Sequence, residues 1–235
     1  LNYPGATALR LDRETRPNKP HEDGPAAAIG TYRLAELECA KRHIRIGATL
    51  CFSGEPFLNL FSISSGSFKS VIQTESGNER VSGLHRSGDL MGMDAIGAGS
   101  YRARVVALED SQVQVIPYQK FQSLVLQSPK LLEQLLCLMS NEISRRQAMA
   151  SERDASAEAR VANLLVGLAQ QSAERGASSL EFNLLMSRRD LGSYLGLSLE
   201  TVSRTLSRLQ EKGLVLVRNR ELRILKPDEL AALGE

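Results

Sequence analysis

The chain reads as an α+β protein: an antiparallel β-roll, one long amphipathic helix, and a winged helix-turn-helix at the C-terminal end. Three observations predict it. β-Branched and aromatic runs separated by recurring glycines fill residues 31–117, and after Ser128-Pro129 the apolar spacing changes to steps of three and four. Residues 187–226 then hold two short capped helices, a strand, a basic turn and a strand. At 235 residues the chain has room for two compact domains, since one core serves about 100–200 residues. The expected division is a disordered tail over 1–28, a β-roll domain over 29–126, a long helix over 127–153 and a winged helix-turn-helix domain over 154–235.

The tail is expected because Pro4, Pro17, Pro20 and Pro25 stand among mixed charges and alanines, a composition that buries too little apolar surface to offset ordering entropy. In the roll the strand candidates are LFSI (60–63), FKSVIQ (68–73), RVSGL (80–84), ARVVAL (103–108) and VQVI (113–116). Gly47, Gly54, Gly66, Gly77 with Asn78, Gly88 and Gly99 recur at intervals of about ten residues, the rhythm of an antiparallel roll or barrel.

Ser128 can cap the long helix and Pro129 suits its first turn. Its apolar stripe includes Leu132, Leu135, Leu136, Met139, Ile143 and Ala150, and such a stripe must be covered. A second copy of the helix would cover it, with Leu132, Leu135, Met139, Ile143, Arg146 and Ala150 along the seam. Packing on the chain's own roll is the alternative. Two Arg146 side chains near a two-fold axis repel unless each finds solvent or the Glu142 of the other copy.

A further helix is expected over 157–175, stopped by Gly176. In the segment that follows, Ser187 caps one helix, Gly196 ends it, Ser198 caps the next and Gly213 ends that. Leu191, Leu195, Val202, Leu206 and Leu209 supply the faces that lock the two helices together. Glu200, Ser203 and Arg204 lie at i, i+3 and i+4 near the start of the second helix, the end that a recognition helix pushes into the major groove. Arg204 suits guanine O6 and N7, Glu200 suits cytosine N4, and Ser203 can address a base or a phosphate. Ser187, Arg188, Thr201, Arg208, Arg218 and Arg220 are the expected phosphate contacts, which position the protein without reading sequence. The competing reading is an ordinary solvated helix in which Glu200 pairs with Arg204.

These residues carry a resemblance. GDLMGMDAIGAG (88–99), LMSNEI (138–143) and RRDLGSYLGLSLETVSR (188–204) resemble the Crp/Fnr family of regulators, and within it the Fnr branch. The resemblance covers about residues 31–226. It implies a cyclic-nucleotide-binding-type β-roll (jelly roll), a dimer helix and a winged helix-turn-helix. It also implies a homodimer that binds an inverted repeat of double-stranded DNA with half-sites resembling TTGAT, and contact with RNA polymerase, as activators of the family make. Low-oxygen, nitrogen-oxide or stress genes are the implied targets. The alternative is an effector-binding or protein-interaction module whose helix-turn-helix does not read DNA.

The sensing half departs from the family's patterns. A [4Fe–4S] cluster needs thiolates, yet residues 1–38 contain no cysteine, the roll position resembling a cluster cysteine is Gln114, and Cys39, Cys51 and Cys137 are widely spaced. Only thiols upstream of Leu1 would change that. The positions resembling the cAMP ligands are Met93 and Arg102-Ala103, where a Glu and an Arg-Ser pair are needed. No cofactor is expected. Haem is left with His43, His85 and Cys51 as candidate axial ligands by residue type alone.

An enzyme is not expected. His21, His43 and His85 lie far apart, and the chain has no phosphate loop, G-x-S-x-G or H-E-x-x-H. A net charge of +2 does not announce a nucleic-acid protein, but residues 187–226 concentrate Arg188, Arg189, Arg204, Arg208, Lys212, Arg218, Arg220, Arg223 and Lys226. The first residues lack an apolar secretory core and no run is long enough to span a membrane, so a cytoplasmic location is expected.

Overall fold

The computed structural model describes residues 39–151, 155–174 and 180–234. The expected tail, His21 and the Gly176 stop lie outside the described residues.

Eight strands build the roll: β1 (Ala40–Ile44), β2 (Thr49–Cys51), β3 (Asn59–Ser65), β4 (Ser67–Gln73), β5 (Glu79–Arg86), β6 (Leu90–Met91), β7 (Arg104–Ala107) and β8 (Ser111–Pro117). They form two four-stranded antiparallel sheets, in the orders β1-β8-β3-β6 and β2-β7-β4-β5. Alternation along the strands places Phe61, Ile63 and Val113 of one sheet against Cys51, Phe68, Val105 and Ala107 of the other, which makes a closed sandwich core. Each of the five strand candidates overlaps an observed strand. β1, β2 and β6 are additional. β1 is an edge strand that exposes Lys41, Arg42 and His43, and β6 is two residues long, so neither shows an apolar alternation.

The β3–β4 turn depends on Gly66. Its φ is +89°, and a Cβ there would lie 2.1 Å from Ser111 Oγ, which accepts the Ser67 N–H at 3.2 Å.

Helix α1 (Tyr118–Gln127) follows the roll, and α2 (Pro129–Ser151) follows after Ser128. Ser128 Oγ accepts the Leu131 N–H at 3.4 Å, the expected cap. Phe121 and Val125 of α1, with Leu131 and Leu138 of α2, bury against Leu60, Leu90 and Ile116 on the roll. Leu135 packs on this cluster as well. The structure therefore divides the apolar stripe: Leu135 turns toward its own roll, while Leu132, Leu136, Met139 and Ile143 stay exposed. Leu136, which the expected seam omitted, is exposed one turn from Leu132. The resulting steps of four, three and four suit a second helix. Arg146 pairs with Glu142 of its own chain at 2.6 Å. Ala150 lies in α2, with its side chain outside the described residues.

The C-terminal part comprises α3 (Ala157–Glu174), β9 (Glu181–Asn183), α4 (Arg188–Leu195), α5 (Leu199–Glu211), β10 (Val215–Arg218), β11 (Glu221–Ile224) and α6 (Pro227–Ala232). Its core brings Leu165 and Leu168 of α3, Leu191 of α4, Leu209 of α5 and Leu222 of β11 together with Leu230 of α6.

Candidate nucleic-acid interface

The α4–α5 pair is held by local chemistry at each helix end. At the start of α4, Ser187 Oγ accepts the Asp190 N–H at 3.1 Å and the Asp190 carboxylate accepts the Ser187 N–H, a reciprocal capping box. Burial pushes the Asp190 carboxyl up, but hydrogen bonds from Lys69 and Ser187 and the charge of Lys69 outweigh it and hold the group below its usual range. Gly196 ends α4 in the left-handed conformation with φ 68°. Ser198 then caps α5, its Oγ accepting the Thr201 N–H at 3.1 Å. Both expected caps and the glycine stop are present.

The turn between the helices is tight because α4 carries Gly192. A Cβ there would stand 2.6 Å from the Leu197 carbonyl oxygen and 3.3 Å from the Ser198 carbonyl carbon. Val202, Leu206 and Leu209 bury one face of α5. The opposite face presents exposed Glu200, Arg204 and Arg208 with half-buried Ser203. Glu200 has its carboxyl drawn below the usual range by its own backbone N–H and the Ser198 hydroxyl, with the charge of Arg204 a lesser cause. Among the described residues no salt bridge within 4.0 Å joins Glu200 to Arg204.

The remaining phosphate candidates are placed unevenly. Arg208, Arg218 and Arg220 are exposed. Arg188 is half-buried, and desolvation draws its pKa down. Ser187 and Thr201 are engaged by the caps, Thr201 Oγ1 lying 3.0 Å from Ser198 Oγ. Arg218 closes strand β10 opposite Glu221, and the turn is Asn219-Arg220 with Asn219 at φ 55°. β9 adds a third strand to the wing, in the order β10-β11-β9, which sequence reasoning missed because Glu181–Asn183 has one half-buried residue in three.

Three positioning contacts were also missed. Gln210 Oε1 accepts the Val217 N–H at 2.9 Å and ties α5 to the wing. Arg160 of α3 donates to the Leu195 carbonyl at 3.0 Å, at the C-terminal end of α4, and Lys212 pairs with Glu158. Asp190 had a legible signal, a carboxylate three residues after a Ser cap. The Arg160–Leu195 and Lys212–Glu158 contacts join residues 35 and 54 positions apart, and Gln210 reaches across the α5–β10 turn, so none has a spacing signal.

The cysteines and histidines among the described residues lie apart from one another in the fold. Cys51 is buried in the roll core, where burial pushes its thiol up to about 12. Cys39 is half-buried before β1 and Cys137 is exposed on α2. Among the described residues no cluster of His, Cys, Asp and Glu could hold a metal ion. His85 Nε2 lies 2.7 Å from Ser70 Oγ, and His43 is exposed on edge strand β1. At the positions where a cyclic phosphate and its ribose would need donors, Met93 packs on the α1–α2 cluster, Ala103 is buried and Arg102 is exposed.

Comparison with known proteins agrees with this architecture. Residues 41–128 match a family model described as a cyclic nucleotide-binding domain, and residues 159–233 match a Crp-like helix-turn-helix domain. The chain is 41% identical over 197 residues to the fumarate and nitrate reduction regulatory proteins of Salmonella typhimurium strain LT2 and of Escherichia coli K12, covering 83% of this chain and 78% of each relative. In fold it is similar to FixK2 from Bradyrhizobium japonicum, with a TM-score of 0.77, 24% identity and coverage of 85% of this chain and 98% of that one. A CooA mutant from Carboxydothermus hydrogenoformans is similar in fold with a TM-score of 0.70 at 17% identity, covering 87% of this chain and 92% of that one. Among the described residues no helix is long and apolar enough to cross a membrane.

Proposed function

The chain belongs to the Crp/Fnr family of transcription regulators, and from that premise we propose that it acts as a homodimer reading an inverted repeat with half-sites resembling TTGAT. One observation carries the reading: α5 buries its apolar face and presents Glu200, Ser203 and Arg204 together near its capped end, with Glu200 and Arg204 exposed. A carboxylate, a hydroxyl and a guanidinium in that order match cytosine N4, a base or phosphate, and guanine O6 with N7. Arg208, Arg218 and Arg220, all exposed, serve phosphates, with Ser187, Arg188 and Thr201 at the starts of α4 and α5 as further contacts. The seam runs along α2 through Leu132, Leu136, Met139 and Ile143, with Arg146 and Ala150 on later turns. RNA polymerase is the further partner, met in the cytoplasm where the operator lies. The relatives are named for fumarate and nitrate reduction, which supports low-oxygen, nitrogen-oxide or stress genes as targets. The unfitted donor set supports regulation without a cluster, cyclic nucleotide or haem.

Two substitutions test the division of labour in a gel shift at fixed salt. Arg204→Ala is expected to cost about 1–3 kcal/mol on the matched repeat and to relax discrimination at the guanine step. Arg218→Ala is expected to weaken matched and mismatched sites by similar factors and to reduce the salt slope by about one. Equal losses on both sites from both variants would contradict the assignment. Absence of any salt-sensitive, sequence-dependent binding by the unaltered protein would sink the operator reading itself.

A further inference from the structure

We propose that Lys69, on the roll, is a positioning residue for operator binding, because its ion pair with Asp190 clasps the first helix of the reading head to the β4–β5 hairpin. The inference rests on the operator reading above. Lys69 Nζ lies 2.5 Å from Asp190 Oδ1, and the two side chains are 20% and 19% exposed. Asp190 is also the carboxylate of the α4 capping box, so the roll grips the reading head at the residue that organises the start of that helix.

Two independent contacts make the joint a surface and not a single strut. The Val81 N–H on β5 donates to Ser193 Oγ of α4 at 2.9 Å, one turn along from Asp190. The β4–β5 ladder shifts register between Ser70 and Val71, with Val71 opposite Val81. A bulge of this kind re-aims backbone groups out of the ladder. Beneath these polar links Val81 and Leu108 of the roll region belong to the same apolar cluster as Leu191, Leu209 and Leu222 of the reading head, with Leu84 packed against it.

The consequence is geometric. A dimer reading an inverted repeat must hold its two recognition helices about one turn of DNA apart, about 34–36 Å. A head free to pivot would lose orientational freedom each time a second half-site is engaged, which weakens the bivalent complex without touching either half-site contact. Lys69, Asp190 and Ser193 remove that freedom before DNA arrives. A half-buried ion pair suits this role, since its value lies in fixing one arrangement more than in net stability.

The test uses the full chain in two measurements. Hydrogen exchange without DNA is compared for the unaltered protein, Lys69→Gln, Lys69→Arg and Ser193→Ala. Faster exchange of the Val81 and α4 amides, by about tenfold in Lys69→Gln and Ser193→Ala and with Lys69→Arg close to the unaltered protein, is the expected result. Unchanged protection in Lys69→Gln and Ser193→Ala overturns the clasp whatever the DNA result. Binding is then measured on an isolated half-site, on the native repeat and on repeats lengthened by one and two base pairs. Lys69→Gln is expected to lose about tenfold on the native repeat, to lose little on the half-site and to flatten the preference among spacings. Equal loss on half-site and repeat, or an unchanged spacing preference, overturns the positioning role. If the unaltered protein binds no repeat, the operator reading fails and the positioning role with it, while the exchange data still decide whether the clasp exists.

Discussion

Ile143→Glu is expected to convert the protein to monomers in sedimentation and to lower its affinity for the inverted repeat by about 100- to 10,000-fold, the factor by which linking two binding units raises avidity. Ile143 is 55% exposed within one protomer, so the substitution leaves the chain's own core intact. Its effect acts through association alone. On a two-fold seam each new carboxylate would face its copy in a desolvated contact, where like charges cost more than they do in water. Asn141→Glu provides the control, because Asn141 is exposed on the other side of α2 from the Leu132, Leu136, Met139 and Ile143 row. It is expected to stay dimeric with operator affinity near that of the unaltered protein. A dimer that survived Ile143→Glu would place the seam elsewhere.

Gly192→Ala is expected to lose operator binding by a different route and to leave the dimer in place. The added Cβ would meet the Leu197 carbonyl oxygen at 2.6 Å, and that atom is backbone in the turn between α4 and α5, so no side-chain rotation relieves it. Relief requires α5 to move away from α4, which opens the contact among Leu191, Val202 and Leu206 and withdraws Arg204 from its placement. Overpacking of this kind costs about 1–3 kcal/mol, to be read as a lowered melting temperature of the C-terminal part. Operator affinity should fall at least about tenfold, as a 1.4 kcal/mol change implies. An alanine variant with unaltered melting and binding would show that the turn has slack which the structure does not display.

The two substitutions also separate what each half of the molecule contributes. One removes bivalency with the reading surface intact. The other distorts the reading surface with bivalency intact. Between them they bracket Lys69→Gln, which is expected to preserve both and disturb only the angle between them.

How legible each feature was in the sequence follows from how local its cause is. The helix-turn-helix could be placed nearly residue by residue, because Ser187, Gly196 and Ser198 act on backbone groups within four positions of themselves and the Val202, Leu206 and Leu209 row repeats within one helix. The roll's inner strands were legible from Phe68, Val71 and Val113 and their neighbours, whose alternation needs only the pleat. Strands β1, β2, β6 and β9 and helices α1 and α6 were not. They are short or mostly exposed elements whose stability comes from the partner they lie against.

The same distinction runs through the site. By itself the sequence determined which face of α5 is polar, where that helix begins, and that Glu200, Ser203 and Arg204 share it, since helical geometry alone relates positions three and four apart. It put Leu135 and Leu136 on one apolar stripe and chose Leu135 for a partner helix, and it offered Arg188 and Arg208 alike to a phosphate. Tertiary structure reverses the first and divides the second: the roll core claims Leu135 and leaves Leu136 exposed, and burial separates Arg188 from Arg208. The Lys69–Asp190 pair spans 121 positions of chain. Contacts at that separation exist only after two domains have packed, because they depend on the position of whole elements, which no short-range rule of spacing, capping or propensity encodes.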